Sequence, residues 1–392
     1  MDEHSVSKSR PAKILQLQLN FDVATRHVGE EISQALLEAD HDVTTAYLSG
    51  SLMPGMDASS KKIHCFNFSK KTLKGISRWY SIWKLYRYIK ENKFSMVIAH
   101  RFKAIHMLLL LDRFINVPVV GVIHGLGDYD RKYRQKIIRL LVSKNSSFVA
   151  VSEEVKQYML DLSCGFSQAN TLAITNAIDI KRTQERQLSR LEAQEALGIS
   201  SEAFVIGAIG RLVPVKGYEY VINAVSLLGS TKKEIQLVII GDGRLRTELQ
   251  AMIIERGLQE KISLVGWKDQ AEIYVRAFDV FIMSSLSEGM PLALMEAFSG
   301  KVPAIASDIP SLRGLIDGSG GWTFPPANEI ELASVLKEVL NVGEDDLKKK
   351  GQLAYTYILN KHSIEEFGDS YRALACSKLA LHSENNRTPS NV

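Results

Sequence analysis

Two glutamates, Glu288 and Glu296, flank Gly289-Met290-Pro291-Leu292. Residues 279–283 before them form an apolar run suited to a buried strand. Pro291 suits the first turn of a helix, where its missing N–H would have had no partner. The amides around Gly289 and Met290 then point at one spot with the helix dipole behind them, which favours an anion such as phosphate. Glycine at 289 lets that anion approach the backbone closely. Glu288 lies in the loop, and Glu296 lies about five residues into the helix, roughly 8 Å along it at 1.5 Å per residue. A hydrolytic carboxylate pair must converge on one bond from the two faces of a sugar, about 5 to 9.5 Å apart. A loop residue and a mid-helix residue of one element are poorly placed for that. The spacing suits a long ligand: a sugar near Glu288, a diphosphate at the helix start, a ribose near Glu296. An ordinary strand, turn and helix with two solvated glutamates gives the same pattern, so the rest of the chain must decide.

Further candidates stand at other strand ends. Gly210-Arg211-Leu212-Val213-Pro214-Val215-Lys216-Gly217 puts two cations, Arg211 and Lys216, on a glycine-flanked loop, placed to neutralise a diphosphate and support it as a leaving group. Such a loop can equally be merely solvated. Gly241-Asp242-Gly243 could approach a ligand or form a tight turn, and the turn is the simpler reading. Val265-Gly266-Trp267-Lys268 would lie beside it, where a nucleobase could rest on the backbone or the indole. His124 closes the run 118–124, a position open to a structural or a binding role.

The elements that must carry these residues follow from hydrophobic patterning. Strand-like runs recur at 13–19, 43–48, 95–99, 118–124, 147–151 and 171–175, and again at 204–209, 235–240, 262–265, 279–284 and 303–307, with helix-patterned stretches between most of them. This alternation predicts an α/β chain of two doubly wound, Rossmann-like domains, with ligands at the carboxyl ends of the strands. The expected division is 1–180, then 181–362, then a helix over 363–382 and a loose tail over 383–392. Residues 181–202, charged and poor in β-formers, read as a connecting segment.

With 392 residues, 45% hydrophobic and 23% charged, the composition is that of a soluble globular protein. Cys65, Cys164 and Cys376 show no metal-type spacing and no even framework, which points to a reducing compartment. The N-terminal residues lack the order of a signal peptide, and the apolar run 107–111 is too short to span a bilayer. A cytoplasmic location is expected. Residues 1–180 hold 24 Lys and Arg against 17 Asp and Glu, whereas the remainder holds 24 against 27. The first half is the one suited to an anionic partner.

Taken together, Gly210-Arg211-Leu212 with Lys216-Gly217, Gly241-Asp242-Gly243, Val265-Gly266 and Glu288-Gly289-Met290-Pro291 with Glu296 resemble, in order and spacing, the donor-binding domain of retaining family 4 glycosyltransferases. That family has the GT-B fold, two Rossmann-like domains facing a cleft. Asn176-Ala177-Ile178-Asp179 resembles its inter-domain turn, with alanine in place of the usual glycine, and Val151-Ser152-Glu153 resembles the strand end before it. The resemblance implies that Arg211 and Lys216 hold the diphosphate, that Gly266, Gly289, Met290, Pro291 and Leu292 line the nucleotide-sugar site, that Glu288 contacts the sugar, and that Glu296 binds the ribose. It makes His124 the active-site histidine that contacts the transferred sugar, and it implies domain closure. The expected activity is transfer of a hexose from a UDP- or GDP-sugar to a saccharide or lipid-linked acceptor, as in lipopolysaccharide or exopolysaccharide assembly. No cofactor beyond the nucleotide sugar and no required metal are expected, since the Asp-x-Asp pairs Asp40/Asp42 and Asp128/Asp130 are common by chance. Phe21-Asp22-Val23-Ala24 departs from the family, which has a glycine pair there. A nucleotide-sugar epimerase and a non-catalytic nucleotide-sugar-binding protein are the alternatives.

Residues 70–93 are basic and aromatic, with Trp79, Trp83, Tyr86 and Ile89 at helical spacing. They could form a helix seated peripherally on an anionic membrane or a sheet-covering helix with a basic outer face, and the two are compatible. No nucleic-acid recognition motif accompanies the basic residues, including the second cluster Arg131, Lys132, Arg134, Lys136 and Arg139.

Overall fold

A computed structural model of the chain describes residues 11–20, 23–50 and 62–385. Side chains of 23–26 and 385 lie outside that description, as do residues 21–22 of the departure noted above. The chain forms two compact units, one running to Asn176 and resuming at Glu365, the other Ala177–Ile364.

The first unit is built on a parallel seven-stranded sheet of β1 (Lys13–Gln18), β2 (Asp42–Tyr47), β3 (Lys62–Cys65), β4 (Met96–His100), β5 (Val119–Ile123), β6 (Ser146–Ala150) and β7 (Thr171–Ala173). Their spatial order is β3-β2-β1-β4-β5-β6-β7. β1 pairs with β2 on one side and β4 on the other, Ile14 facing Val43 and Met96. Chain direction across the sheet therefore reverses between β1 and β4, and the loops after those strands diverge at their carboxyl ends. Strands such as Val119-Val120-Gly121-Val122-Ile123 are buried throughout because helices cover both faces.

The second unit repeats the plan with β8 (Phe204–Ile209), β9 (Ile235–Ile240), β10 (Ile262–Gly266), β11 (Val280–Met283), β12 (Ala304–Ser307) and β13 (Trp322–Phe324), ordered β10-β9-β8-β11-β12-β13. Here the reversal falls between β8 and β11. Side chains alternate between two cores: Ile206, Ala208, Leu237 and Ile239 pack on one face, and Val205, Val238 and Ile240 on the other.

Four expectations need correction. Residues 181–202 are not a bare connection but the helices Ile180–Arg186 and Arg190–Leu197, started by Asp179 and by a Ser189/Glu192 capping box, and closed by Gly198 in a left-handed conformation. The short strands β3 and β13, at the sheet edges, were absent from the strand pattern. Residues 383–385 continue the helix Ile364–Asn385 rather than a loose tail; Phe367, Tyr371 and Ala375 of that helix are buried, and Arg372 pairs with Glu38 of the first unit at 3.0 Å. In the helix Arg78–Asn92 the buried face is Ser81, Ile82, Leu85 and Ile89, so Trp79 and Trp83 do not share it. No helix among the described residues is long and apolar enough to cross a membrane.

Candidate functional site

The loops after β8 and β11 meet where the second sheet changes direction. Backbone contacts fasten them: Leu286 N–H donates to Val215 O and Ser284 Oγ to Lys216 O, each at 2.8 Å. Gly217 makes the approach possible. Its φ is +62°, and a Cβ there would stand 2.4 Å from Ser284 O. Docked this way, Lys216 Nζ lies 2.5 Å from Glu288 Oε1, and Ser285 Oγ donates to the same carboxylate oxygen at 2.5 Å. The pair is largely sheltered, with side-chain exposures of 18% and 13%. The hydroxyl of buried Tyr218, next in the chain after Gly217, has its pKa raised by burial and then by the Glu288 charge.

Beyond Glu288 the chain turns into the helix Leu292–Ser299. Pro291 is its extended N-cap rather than part of the first turn, a small correction to the expected start. The amides of Gly289, Met290, Leu292 and Ala293 have no acceptor among the described residues. They form an open donor cluster at the positive end of the helix. Glu296, further along, faces inward with 9% exposure. Burial raises its pKa to about 8, with repulsion from Glu272 adding and attraction to Arg186 opposing. Glu272 is itself buried and paired with Arg186 at 3.0 Å. Burial thus favours the protonated form of Glu296, which can both donate and accept a hydrogen bond.

Glycines gather the neighbouring strand ends. A Cβ at Gly241 would stand 1.9 Å from Gly210 O, and one at Gly243 would stand 2.4 Å from Leu212 O. Gly241 N–H donates to Gly266 O at 2.9 Å, and Gly266 has φ +90°. The Gly241-Asp242-Gly243 stretch thus serves as a turn that packs against the Arg211 loop. Arg211 itself is exposed, separated from Lys216 by buried Leu212. Trp267, after Gly266, is 57% exposed.

His124 sits in the first unit, just past β5. Its Nε2 lies 2.9 Å from Nδ1 of His100, the last residue of β4. Arg101 follows with φ +64°, turning the chain sharply out of the strand. In the two Asp-x-Asp pairs, the Asp42 carboxylate pairs with Lys62 and that of Asp130 accepts from Tyr158, while Arg134 donates to the backbone carbonyl of Asp128.

The structure thus joins Lys216 to Glu288 and sets both beside Gly289 to Leu292. It places Arg211 outward on the Lys216 loop, Gly266 at the adjoining strand ends, and Glu296 among Arg186 and Glu272. Tyr218, Ser285, Glu272 and His100 were not singled out from sequence. His100 left one trace, a polar residue ending an apolar strand.

Two family models match consecutive parts of the chain: Glycosyltransferase Family 4 over residues 25–182 and Glycosyl transferases group 1 over residues 189–354. With two parallel-sheet α/β units of the GT-B kind, the chain belongs to the family 4 glycosyltransferases. It is 26% identical over 275 residues to the UDP-Gal:alpha-D-GlcNAc-diphosphoundecaprenol alpha-1,3-galactosyltransferase of Escherichia coli, covering 68% of this chain and 70% of that one. It is 27% identical over 241 residues to the amylovoran biosynthesis glycosyltransferase AmsK of Erwinia amylovora, covering 58% and 56%. Among solved structures, Anabaena Alr3699/HepE in complex with UDP and glucose shares the fold, with a TM-score of 0.80 at 16% identity over 93% of this chain and 100% of that one.

Proposed function

We propose that the protein is a retaining glycosyltransferase that moves a hexose from a UDP- or GDP-sugar to a hydroxyl of a saccharide or lipid-linked acceptor. The observation that carries this reading is the Lys216–Glu288 pair beside open helix amides, at the point where the second sheet reverses. Relatives named for a diphosphoundecaprenol-linked acceptor and for amylovoran biosynthesis support polysaccharide or lipopolysaccharide assembly as its setting.

In this reading the donor diphosphate takes Lys216, Arg211 and the amides of Gly289 to Ala293. Glu288, released from Lys216, accepts from sugar hydroxyls, and Glu296 bonds the ribose. Gly266 lies beside the nucleotide, and His124 contacts the transferred sugar. The bond from the sugar C1 to the phosphate oxygen breaks while the acceptor oxygen bonds to C1 on the same face. The acceptor proton passes to the departing phosphate, whose growing charge the cations and amides stabilise.

We further propose peripheral contact with an anionic bilayer through residues 70–93. Ile82, Leu85 and Ile89 are already buried against the rest of the unit, leaving Ile76, Trp79, Tyr80 and Trp83 exposed among Lys70, Lys71, Lys74, Lys84 and Arg87. Exposed indoles within a basic field match the polar boundary of an anionic membrane.

The decisive assay supplies UDP- and GDP-sugars with saccharide and lipid extracts, follows nucleoside diphosphate release, and assigns the product anomer by NMR. Acceptor-dependent release with the donor's anomeric configuration kept supports the reading. An inverted anomer, or conversion of donor to an isomeric nucleotide sugar without acceptor, overturns it.

A further inference from the structure

His100 is 0% exposed, and its Nδ1 faces Nε2 of His124 at 2.9 Å with the ring planes 32° apart. Its other nitrogen, Nε2, is buried without a hydrogen-bond partner. Burial, reinforced by the Arg101 charge, holds His100 at a pKa of about 3; His124 is lowered well below its ordinary value by burial, then by His100 and Arg101. Both rings are therefore neutral near pH 7, and one proton lies between them.

Two arrangements satisfy that hydrogen bond. If His124 donates from Nε2, His100 must carry its own proton on Nε2, where an N–H would be buried with nothing to receive it. If His100 donates from Nδ1, its buried Nε2 is a bare lone pair. Orphaned buried N–H groups are rarer than under-satisfied acceptors. The second arrangement forces the remaining proton of His124 onto Nδ1.

We infer that His100 is a positioning residue that fixes the tautomer of His124, making His124 Nδ1–H a hydrogen-bond donor to a ligand oxygen. The ligand part of this inference rests on the reading of His124 as the residue that meets the transferred sugar. A donor there suits a sugar hydroxyl oxygen, and it would not serve to take a proton from the acceptor. This agrees with deprotonation by the departing phosphate.

Ring-nitrogen NMR of the full-length protein labelled with 15N-histidine tests the tautomer directly, His124 being assigned by the signals lost in His124→Gln. The expected spectrum shows His124 protonated at Nδ1 in the unsubstituted protein and in His100→Asn, whose amide retains an N–H near the Nδ1 position. In His100→Leu the proton should move toward Nε2, the ordinary preference of imidazole in water. Nε2 protonation of His124 in the unsubstituted protein overturns the inference, and this outcome does not depend on either variant folding. Kinetics supply the second readout: His100→Leu should lower kcat by about tenfold with donor KM little changed, and His100→Asn should recover most of it. If His124→Gln is impaired while His100→Leu is fully active, the positioning role fails and the reading of His124 stands. If His124→Gln is fully active, the reading of His124 fails, and the NMR result alone decides the tautomer.

Discussion

Lys216 Nζ and Glu288 Oε1 lie 2.5 Å apart, joined across the loops that leave β8 and β11. Each neutralises the other, and in the proposed reading the donor separates them. A diphosphate offers Lys216 a stronger anion, and sugar hydroxyls offer Glu288 donors in return.

In the proposed reading, removing either partner removes a transition-state contact. Lys216→Ala and Glu288→Ala should each lower kcat/KM by about 100-fold or more, with far-UV circular dichroism unchanged. Near-normal transfer by either variant contradicts the site.

Gly217 holds the loops close enough for that pair to form. Alanine there meets Ser284 O in a left-handed backbone conformation. Gly217→Ala should cost roughly 1–2 kcal/mol and lower transfer although no ligand-binding side chain is altered. Denaturant unfolding and steady-state kinetics on the same preparation check both effects.

Glu296 makes stability depend on pH in a definite direction. Between its ordinary pKa of 4.5 and its folded value of about 8, the unfolded chain has lost this proton and the folded chain has kept it. Its contribution to stability is thus fully present below pH 4.5 and is lost as pH rises through 8. Glu296→Gln stays neutral throughout, so its melting temperature relative to the unsubstituted protein should rise by several degrees from pH 5 to pH 8, each kcal/mol being worth roughly 2–4 °C. A difference that does not change with pH would show that Glu296 is ionised in the fold.

Trp79 and Trp83 are 62% and 51% exposed on a helix whose packing face lies elsewhere. Replacing both by alanine should leave the melting temperature within about 2 °C, since exposed substitutions away from packing change stability little. Sedimentation with phosphatidylserine-containing vesicles should fall severalfold. Unchanged sedimentation would leave the helix with its structural role alone.

Much of the fold was legible because buried parallel strands are continuous apolar runs, as in Val119-Val120-Gly121-Val122-Ile123. The edge strands β3 and β13 were not, because Lys62-Ile63-His64-Cys65 is only partly buried and Trp322-Thr323-Phe324 is three residues long. The helix Arg78–Asn92 was half legible: of Trp79, Trp83, Tyr86 and Ile89, which share helical spacing, only Ile89 lies in the buried face. Its aromatic residues outweigh Ile82 and Leu85 in any reading by hydrophobic size, yet the smaller aliphatic side chains take the packed face. Lys216, Glu288 and Glu296 were visible as motif residues. The pairing of the first two joins residues 72 apart in sequence, and the raised pKa of the third comes from burial, with Glu272 adding, neither of which local spacing encodes. His100 escaped notice because its partner belongs to the next strand of the sheet.

The central claim is that the Lys216–Glu288 loops and the open helix amides receive a nucleotide sugar. Thermal melting against a concentration series of UDP, GDP and their sugars tests it most directly, because a ligand that binds only the native state raises the melting temperature with concentration. One nucleotide class should stabilise the unsubstituted protein progressively, with the effect lost in Lys216→Ala and in Glu296→Ala. No stabilisation by any of them at millimolar concentration, or an equal shift in both variants, would contradict the account.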